Sequence, residues 1–284
     1  MALTINTNIA ALNAQRRLGA STSELRQTFE RLSSGLRIIR ARDDASGLAI
    51  ADTLRADQRV ASVAIRNAND GISLISIADG ALNEIGNVLQ RMAELSEQSA
   101  NGTLSSTQRS ALDQEFRALG SEVSRISETT SFNGLQLISG SASIALQVGF
   151  DSSTNSQIQF SGVNGTLESL GLATAGSKVL TFSLNAAVGG QQAALSALDA
   201  VKTAIGSLTA NRGTLGAAES RLNVAINNLQ VARENFSSAE SQIRDVDVAE
   251  EAARLTRLNI LQQAGAAVLA QANQQPSLAL ALLG

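Results

Sequence analysis

The sequence predicts a mainly α protein: an elongated helical bundle or coiled coil built from the N- and C-terminal regions, with a small β-hairpin insert. Three observations point to it. Both ends carry long runs of apolar residues spaced three and four apart, the spacing of helices that pack on helices. The 284-residue chain is 44% apolar but only 2% aromatic, with seven Phe and no Trp or Tyr, so an aliphatic core must fill narrow gaps between helices. Its one proline, Pro276, lies almost at the end, so nearly all of the chain is free to be helical.

Residues 3–36 read as the first amphipathic helix. Ala11, Ala14, Leu18, Thr22, Leu25, Phe29, Leu32 and Leu36 form its stripe, and Ile5, Ile9 and Leu12 add apolar surface at its start. Residues 37–44 break the pattern, with Arg40, Arg42, Asp43 and Asp44 crowded together. Paired carboxylates can do acid–base work. With arginines beside them and no other catalytic group nearby, capping of the next helix by Asp43 or Asp44 and ion pairing are favoured.

A long helix follows over about 45–100, its second half seamed by Ile75, Ala78, Leu82, Ile85, Leu89, Met92 and Ser96. Asn101-Gly102 marks a turn. A helix over about 105–130 repeats the pattern through Leu112, Phe116, Leu119, Val123, Ile126 and Thr130, and Phe132-Asn133-Gly134 marks the next turn. From Leu135 to Ala197 only Asp151, Glu168 and Lys178 are charged. Period-two alternation appears at Ile144, Leu146, Val148 and Phe150, then Ile158 and Phe160, then Leu180, Phe182 and Leu184, which predicts hairpins.

Helical spacing returns near 191 with Leu198, Val201, Ile205, Leu208, Arg212 and Leu215, and continues from Ala218 to Ile243. The short step from Leu215 to Ala218, flanked by Gly213 and Gly216, predicts a local stagger. The last helix, 248–283, carries Leu255, Leu258, Leu261, Gly265, Val268 and Ala272, widened by Ile260, Ala267 and Leu269. The expected organisation is a terminal coiled-coil polymerisation domain (1–40 with 245–284), a helical core domain (41–134 with 190–244) and a β-hairpin insert (135–189). Each terminal helix alone would leave much apolar surface wet. The pair is therefore expected to close on itself and then on copies of itself.

Composition narrows the chemistry. The chain has no Cys and no His, hence no disulfide, thiolate, imidazole base or common zinc site. No phosphate loop, metal spacing or nucleophile–base set is visible, so neither an enzyme nor a cofactor is expected. Net charge is −3, with 20 Arg and two Lys, which is not the profile of a nucleic-acid binder. The first ten residues lack the basic and apolar regions of a signal peptide, and no run of about 18 apolar residues could span a membrane. The chain is either cytoplasmic or leaves by a route without a cleaved signal.

The segment Thr4-Ile5-Asn6-Thr7-Asn8-Ile9-Ala10-Ala11-Leu12-Asn13-Ala14 resembles the opening of bacterial flagellins. Leu32 to Ile38 (LSSGLRI), Asp43 to Ala51 (DDASGLAIA) and Ser131 to Gly134 (SFNG) continue the match. At the other end, Ile260 to Gly265 (ILQQAG) and Leu269 to Gln274 (LAQANQ) match the family's C-terminal helix. The resemblance spans about 1–134 and 190–284. With only a short insert between, the chain resembles a minimal form lacking large outer variable domains.

The resemblance implies a structural subunit that polymerises into the flagellar filament for swimming motility. It implies ends that are largely disordered in the free subunit, and secretion through the flagellar export apparatus to an extracellular filament. The implied partners are further copies of the chain, an export chaperone at about 245–283, and the filament cap and hook-junction proteins. A toll-like innate immune receptor is implied through Arg91, Leu95 and Glu115, although Ala93 and Glu97 depart from the family pattern there. Without a receptor, Arg91 and Glu115 read as an interhelical ion pair. Two alternatives remain. A hook–filament junction protein shares such ends, though the two C-terminal motifs favour flagellin. A peripheral membrane-binding helical bundle is possible for amphipathic helices, but the polar faces are not Lys-rich and no Trp or Tyr anchors exist.

Overall fold

A computed structural model describes residues 7–139, 143–160, 163–185 and 189–281. Five helices and two small antiparallel hairpins follow the chain in order. The helices are α1 (Ile9–Ser34), α2 (Ala45–Ser99), α3 (Ser106–Thr129), α4 (Gly190–Arg244) and α5 (Val248–Ala281). The strands are β1 (Ser131–Phe132), β2 (Leu135–Gln136), β3 (Ile144–Gln147) and β4 (Gln157–Phe160). Two compact units emerge: unit 1 holds residues 1–58 and 234–284, and unit 2 holds 59–233.

In unit 1, side-chain caps set the helix ends. Asn8 Oδ1 accepts from Ala11 N–H at 3.0 Å to open α1. Gly35 closes it at φ 71°, its N–H donating to Arg31 O at 2.8 Å; a left-handed cap of this kind favours glycine. Asp44 is the cap of α2, accepting from Gly47 N–H at 2.8 Å. Asp247 caps α5, accepting from the N–H groups of Ala249 (2.9 Å) and Glu250 (3.1 Å). Glu250 and Glu251 in that first turn suit the positive end of the helix dipole.

Unit 2 is organised by two unbroken seams. On α2 the buried positions run Ala61, Ala64, Ala68, Gly71, Ile75, Ala78, Leu82, Ile85, Leu89, Met92, Ser96 and Ser99, alternating three and four throughout. On α4 they run Ala194, Ala197, Val201, Ala204, Leu208, Asn211, Leu215, Ala218 and Leu222, with Asn211 half-buried. The expected stagger near Leu215 is absent. Asn211 fills the seam position that an apolar-only count skips, and its amide donates to Asn164 O at 3.0 Å. Arg212 ties α4 to α2, forking onto Asp79 at 2.7 and 3.1 Å and reaching Asn83 at 3.1 Å.

The insert packs its apolar residues into this core. Leu137, Ile138, Val148, Ile158, Val163, Leu167, Leu170, Leu172, Leu180 and Leu184 all join the main cluster. The first hairpin turns through Asn133 and Gly134, both at positive φ (50° and 79°), as an Asn-Gly two-residue loop requires. The second pairs Ile144–Gln147 with Gln157–Phe160. Phe150 is exposed, so it leaves the face shared by the earlier alternating residues; the Phe160 side chain lies outside the described residues.

The third expected strand, Leu180 to Leu184, is instead an irregular segment with one isolated bridge from Leu180 to Ala173. Its donors find other acceptors. Thr181 N–H donates to Leu172 O at 3.0 Å, and Leu184 N–H and Ser183 Oγ–H donate to Asp113 Oδ1 at 2.7 and 3.0 Å. Burial pushes the Asp113 pKa up, but bonds from Arg117, Leu184 and Ser183 outweigh it and hold the carboxyl below its ordinary range. Leu180 then seats against Gly120 on α3, where any Cβ would lie 2.6 Å from Leu180 Cγ. Gly120→Val should therefore expel Leu180 and lower the stability of unit 2 by about 1–3 kcal/mol. Urea unfolding of the full chain, followed through unit 2, checks this.

Candidate assembly surface

Within unit 1, α1 and α5 run antiparallel. Asn8 Nδ2 donates to Ala272 O at 2.7 Å, Leu18 abuts Gly265, Arg254 lies 3.8 Å from Glu24, and Leu36 bridges Asp245. Counting outward from the Leu18–Gly265 contact in steps of three and four gives the facing residues. They are Ala11, Ala14, Leu18, Ser21, Leu25, Thr28 and Leu32 on α1. On α5 they are Ala272, Leu269, Gly265, Gln262, Leu258, Leu255 and Glu251. All are buried or half-buried, as a two-helix seam requires.

This seam is thinly filled. Ala11 falls level with Ala272, Leu18 faces a glycine, Ser21 falls level with Gln262, and a carboxylate closes the far end. Such layers bury little apolar area for the backbone they order.

The single stripe expected on each terminal helix thus resolves into two. Leu18, Leu25, Leu32, Leu255, Leu258 and Leu269 face the partner helix of the same chain. Phe29 does not: it is 65% exposed, while Thr28 beside it is 2% exposed. Ile9, Leu12, Leu261 and Val268 are also exposed, joined by Ile260. Leu36 is half-buried beyond the end of α1, and Ile5 lies outside the described residues. Two shallow grooves open along α1. One of about 380 Å³ is lined by Gln15, Leu18, Gly19, Thr22, Ser23 and Arg26, and one of about 510 Å³ by Ile9, Leu12, Asn13, Gln15 and Arg16.

Ser21, Thr28, Gln262 and Glu251 are seam members that apolar counting passes over. Strict alternation from Ala11 finds Ser21 and Thr28, and the same count back from Leu255 finds Glu251.

Elsewhere in unit 2, Arg91 donates to Glu115 at 2.8 and 3.0 Å and to Glu94 at 2.9 Å. This is an exposed interhelical ion network, the kind worth about 0–1 kcal/mol per pair. Leu95 has no exposed surface and belongs to the core. Of the three residues named together, only Arg91 and Glu115 can meet a partner at the folded surface. Among the described residues, no cluster of three or more acidic, His or Cys side chains could hold a metal, and no helix is long and apolar enough to cross a membrane.

Asp43 organises the link between α1 and α2. It accepts from Arg40 N–H at 3.1 Å, Ile39 N–H at 3.3 Å and Gln27 Nε2 at 3.1 Å. The Arg40 N–H does most to hold its carboxyl below the ordinary aspartate range. Burial opposes this, and the Ile39 N–H and the charges of Arg31 and Arg42 add to it.

Comparison with known proteins places these features. A family model for the bacterial flagellin N-terminal helical region matches residues 5–143, and one for the C-terminal helical region matches 198–283. Flagellin of Halalkalibacterium halodurans is 43% identical over 280 residues, covering 98% of this chain and 99% of that protein. Polar flagellin F of Vibrio parahaemolyticus is 51% identical over 160 residues, 56% of this chain but 42% of that longer protein. The crystal structure of Bacillus cereus flagellin aligns with 58% of this chain and 88% of that chain, at 29% identity and a TM-score of 0.48.

The lowered pKa of Asp43 carries a sign. A carboxylate depressed in the folded state stabilises it above the unfolded pKa of about 3.9 and loses that contribution as pH falls through the folded value. The stability difference between the parent and Asp43→Asn should therefore be full at neutral pH and shrink toward zero below about pH 4. Urea titrations of both proteins across that range check it.

Proposed function

This chain belongs to the bacterial flagellin family, a structural subunit that polymerises into the flagellar filament and not an enzyme, and we propose from that premise that the second stripe of its terminal helices joins copy to copy. The observation that carries the reading is the exposure of Ile9, Leu12, Phe29, Leu261 and Val268 on helices whose other stripe is already engaged within the chain. The inner seam interrupts its leucines with alanines, a glycine and polar residues, so the pair is weakly packed. Fully burying a Leu, Val or Phe contributes roughly 1.5–3 kcal/mol, so a neighbour that covers the outer stripe adds to what the inner one supplies. On this account the α1–α5 pair is marginal in the free subunit and firm in the filament. A head-to-tail contact of this kind does not close on itself and propagates as a helical assembly.

Finer partners follow from the family alone. The export apparatus receives the N-terminal region, the export chaperone holds residues about 245–283, the cap and the hook-junction proteins bound the filament, and the assembled polymer is extracellular. A toll-like receptor would meet Arg91 and Glu115 rather than the buried Leu95. The near full-length match to a flagellin favours a filament subunit over a hook–filament junction protein.

Phe29→Ser and Val268→Ser should each raise the critical concentration for seeded polymerisation by about tenfold, the equivalent of about 1.4 kcal/mol, while leaving the thermal melting of unit 2 unchanged. Sedimentation of seeded filaments measures the first and circular dichroism the second. Normal polymerisation by both variants would remove the outer stripe from the mechanism. Deleting residues 2–20 should abolish secretion, read as protein retained in cells; undiminished secretion would overturn the export role of that segment.

A further inference from the structure

The chain holds three Asn-Gly pairs, at Asn101, Asn133 and Asn164. Such a pair can react with itself. The glycine has no Cβ, so its nitrogen can reach the carboxamide carbon of the asparagine before it. The three pairs stand in very different surroundings.

Asn164-Gly165 is closed to this chemistry. Gly165 is buried, its N–H donates to Ile138 O at 2.8 Å, and a Cβ there would lie 3.1 Å from Leu82 and Ile85. Asn133-Gly134 is exposed, but it forms a hairpin turn with both residues at positive φ and Phe132 paired with Leu135 across it. Ring closure at Asn133 must rotate the peptide between the two residues, which opens that turn.

Asn101-Gly102 lies in the exposed turn between α2 and α3. Asn101 Oδ1 accepts from Thr103 N–H at 3.1 Å, the bond of an Asx-turn. That donor sits on the oxygen that turns negative when the carboxamide carbon is attacked, as a donor in an oxyanion hole does. The backbone oxygen of Asn101 accepts from Arg109 Nη2 at 2.9 Å and from Leu104 N–H at 3.3 Å. This oxygen belongs to the same peptide group as Gly102 N. A guanidinium bound to it draws electron density from that nitrogen and makes its proton easier to remove. A second bond, from Arg109 Nε to Ser99 O at 3.0 Å, fixes the arginine there. The Gly102 N–H has no acceptor among the described residues. A Cβ built on Gly102 would meet nothing nearer than the Gln191 amide at 3.9 Å. Nucleophile and electrophile are thus both activated, and water has access to both.

We propose that Asn101-Gly102 is a site of spontaneous deamidation that the fold accelerates. Gly102 N gives its proton to water or hydroxide, and its electron pair forms a bond to Asn101 Cγ. Collapse of the resulting oxyanion breaks the Cγ–Nδ2 bond, releases ammonia and leaves a succinimide. Water then opens the ring at either carbonyl, to aspartate or to isoaspartate, with no oxidant or reductant. Either product adds a carboxylate to the groove lined by Glu94, Glu97, Leu104 and Leu195. Isoaspartate also adds a methylene to the main chain between α2 and α3. Each copy of the chain then records its age as charge at this turn.

The test ages the full-length chain in neutral buffer, folded and unfolded in guanidinium chloride. Peptide mapping by mass spectrometry follows each Asn-Gly pair, and enzymatic methylation of isoaspartate confirms the product. In the folded chain Asn101 should react fastest, and at least as fast as in the unfolded chain. Asn133 and Asn164 should both react more slowly folded than unfolded. Slower reaction of Asn101 on folding, or faster reaction at Asn133 than at Asn101, would overturn the proposal. Arg109→Gln should slow the folded reaction of Asn101 by about tenfold, through loss of one charge-assisted hydrogen bond that strengthens in the transition state, and leave the unfolded rate unchanged. An equal or faster folded rate in that variant would overturn activation by Arg109. The comparison of folded with unfolded parent needs no variant, so it decides the matter even if Arg109→Gln misfolds.

Discussion

The structure depends on one geometric constraint: a helix that repeats apolar residues three and four apart has one narrow face to bury, and something must cover it. In unit 2 that demand is met within the chain. The seams of α2 and α4 are unbroken, α3 adds Phe116 and Val123, and the insert contributes its leucines from outside. In unit 1 the same geometry is met only halfway. The inner faces of α1 and α5 meet through leucines interrupted by small and polar side chains, and further large apolar residues stand exposed on the outer faces. On the proposed reading, a neighbour in the polymer covers what unit 1 leaves open.

Most of this was legible in the sequence where one period dominates. The long helices, their order and the turn at Asn133-Gly134 follow from spacing and from residues with one clear use. The failures have physical causes. Phe29 dominates the apolar stripe in any hydrophobicity count because a large aromatic outweighs a threonine, yet the face toward α5 needs a residue three beyond Leu25, which is Thr28. Ser21, Gln262, Asn211 and Glu251 are invisible to apolar counting for the same reason, although the strict alternation of their neighbours points to each. Between Leu180 and Leu184 the alternation was real but the ladder was not. Asp113, 70 residues away in sequence, supplies the acceptors a strand partner would have supplied, and no local pattern announces that.

The two interaction types in unit 1 differ in what they specify. Apolar contacts supply driving force but tolerate sliding, since leucine and alanine pack against several partners at similar cost. Polar groups in the seam contribute little net stability and a great deal of discrimination, because a wrong alignment strands them without partners.

The turn between β3 and β4 has a consequence of its own. Asp151 Oδ1 accepts from the Ser153 N–H at 3.1 Å and from the hydroxyls of Ser153 and Ser156, so the turn is closed by its own side chains. Residues 150–155 are exposed, and none of them belongs to the core cluster. Chain length can grow there at an entropic cost that rises only slowly with each added residue. The tip is thus a natural grafting point, where foreign peptide or whole domains could be displayed in many regularly spaced copies on a polymer joined, as proposed, through unit 1.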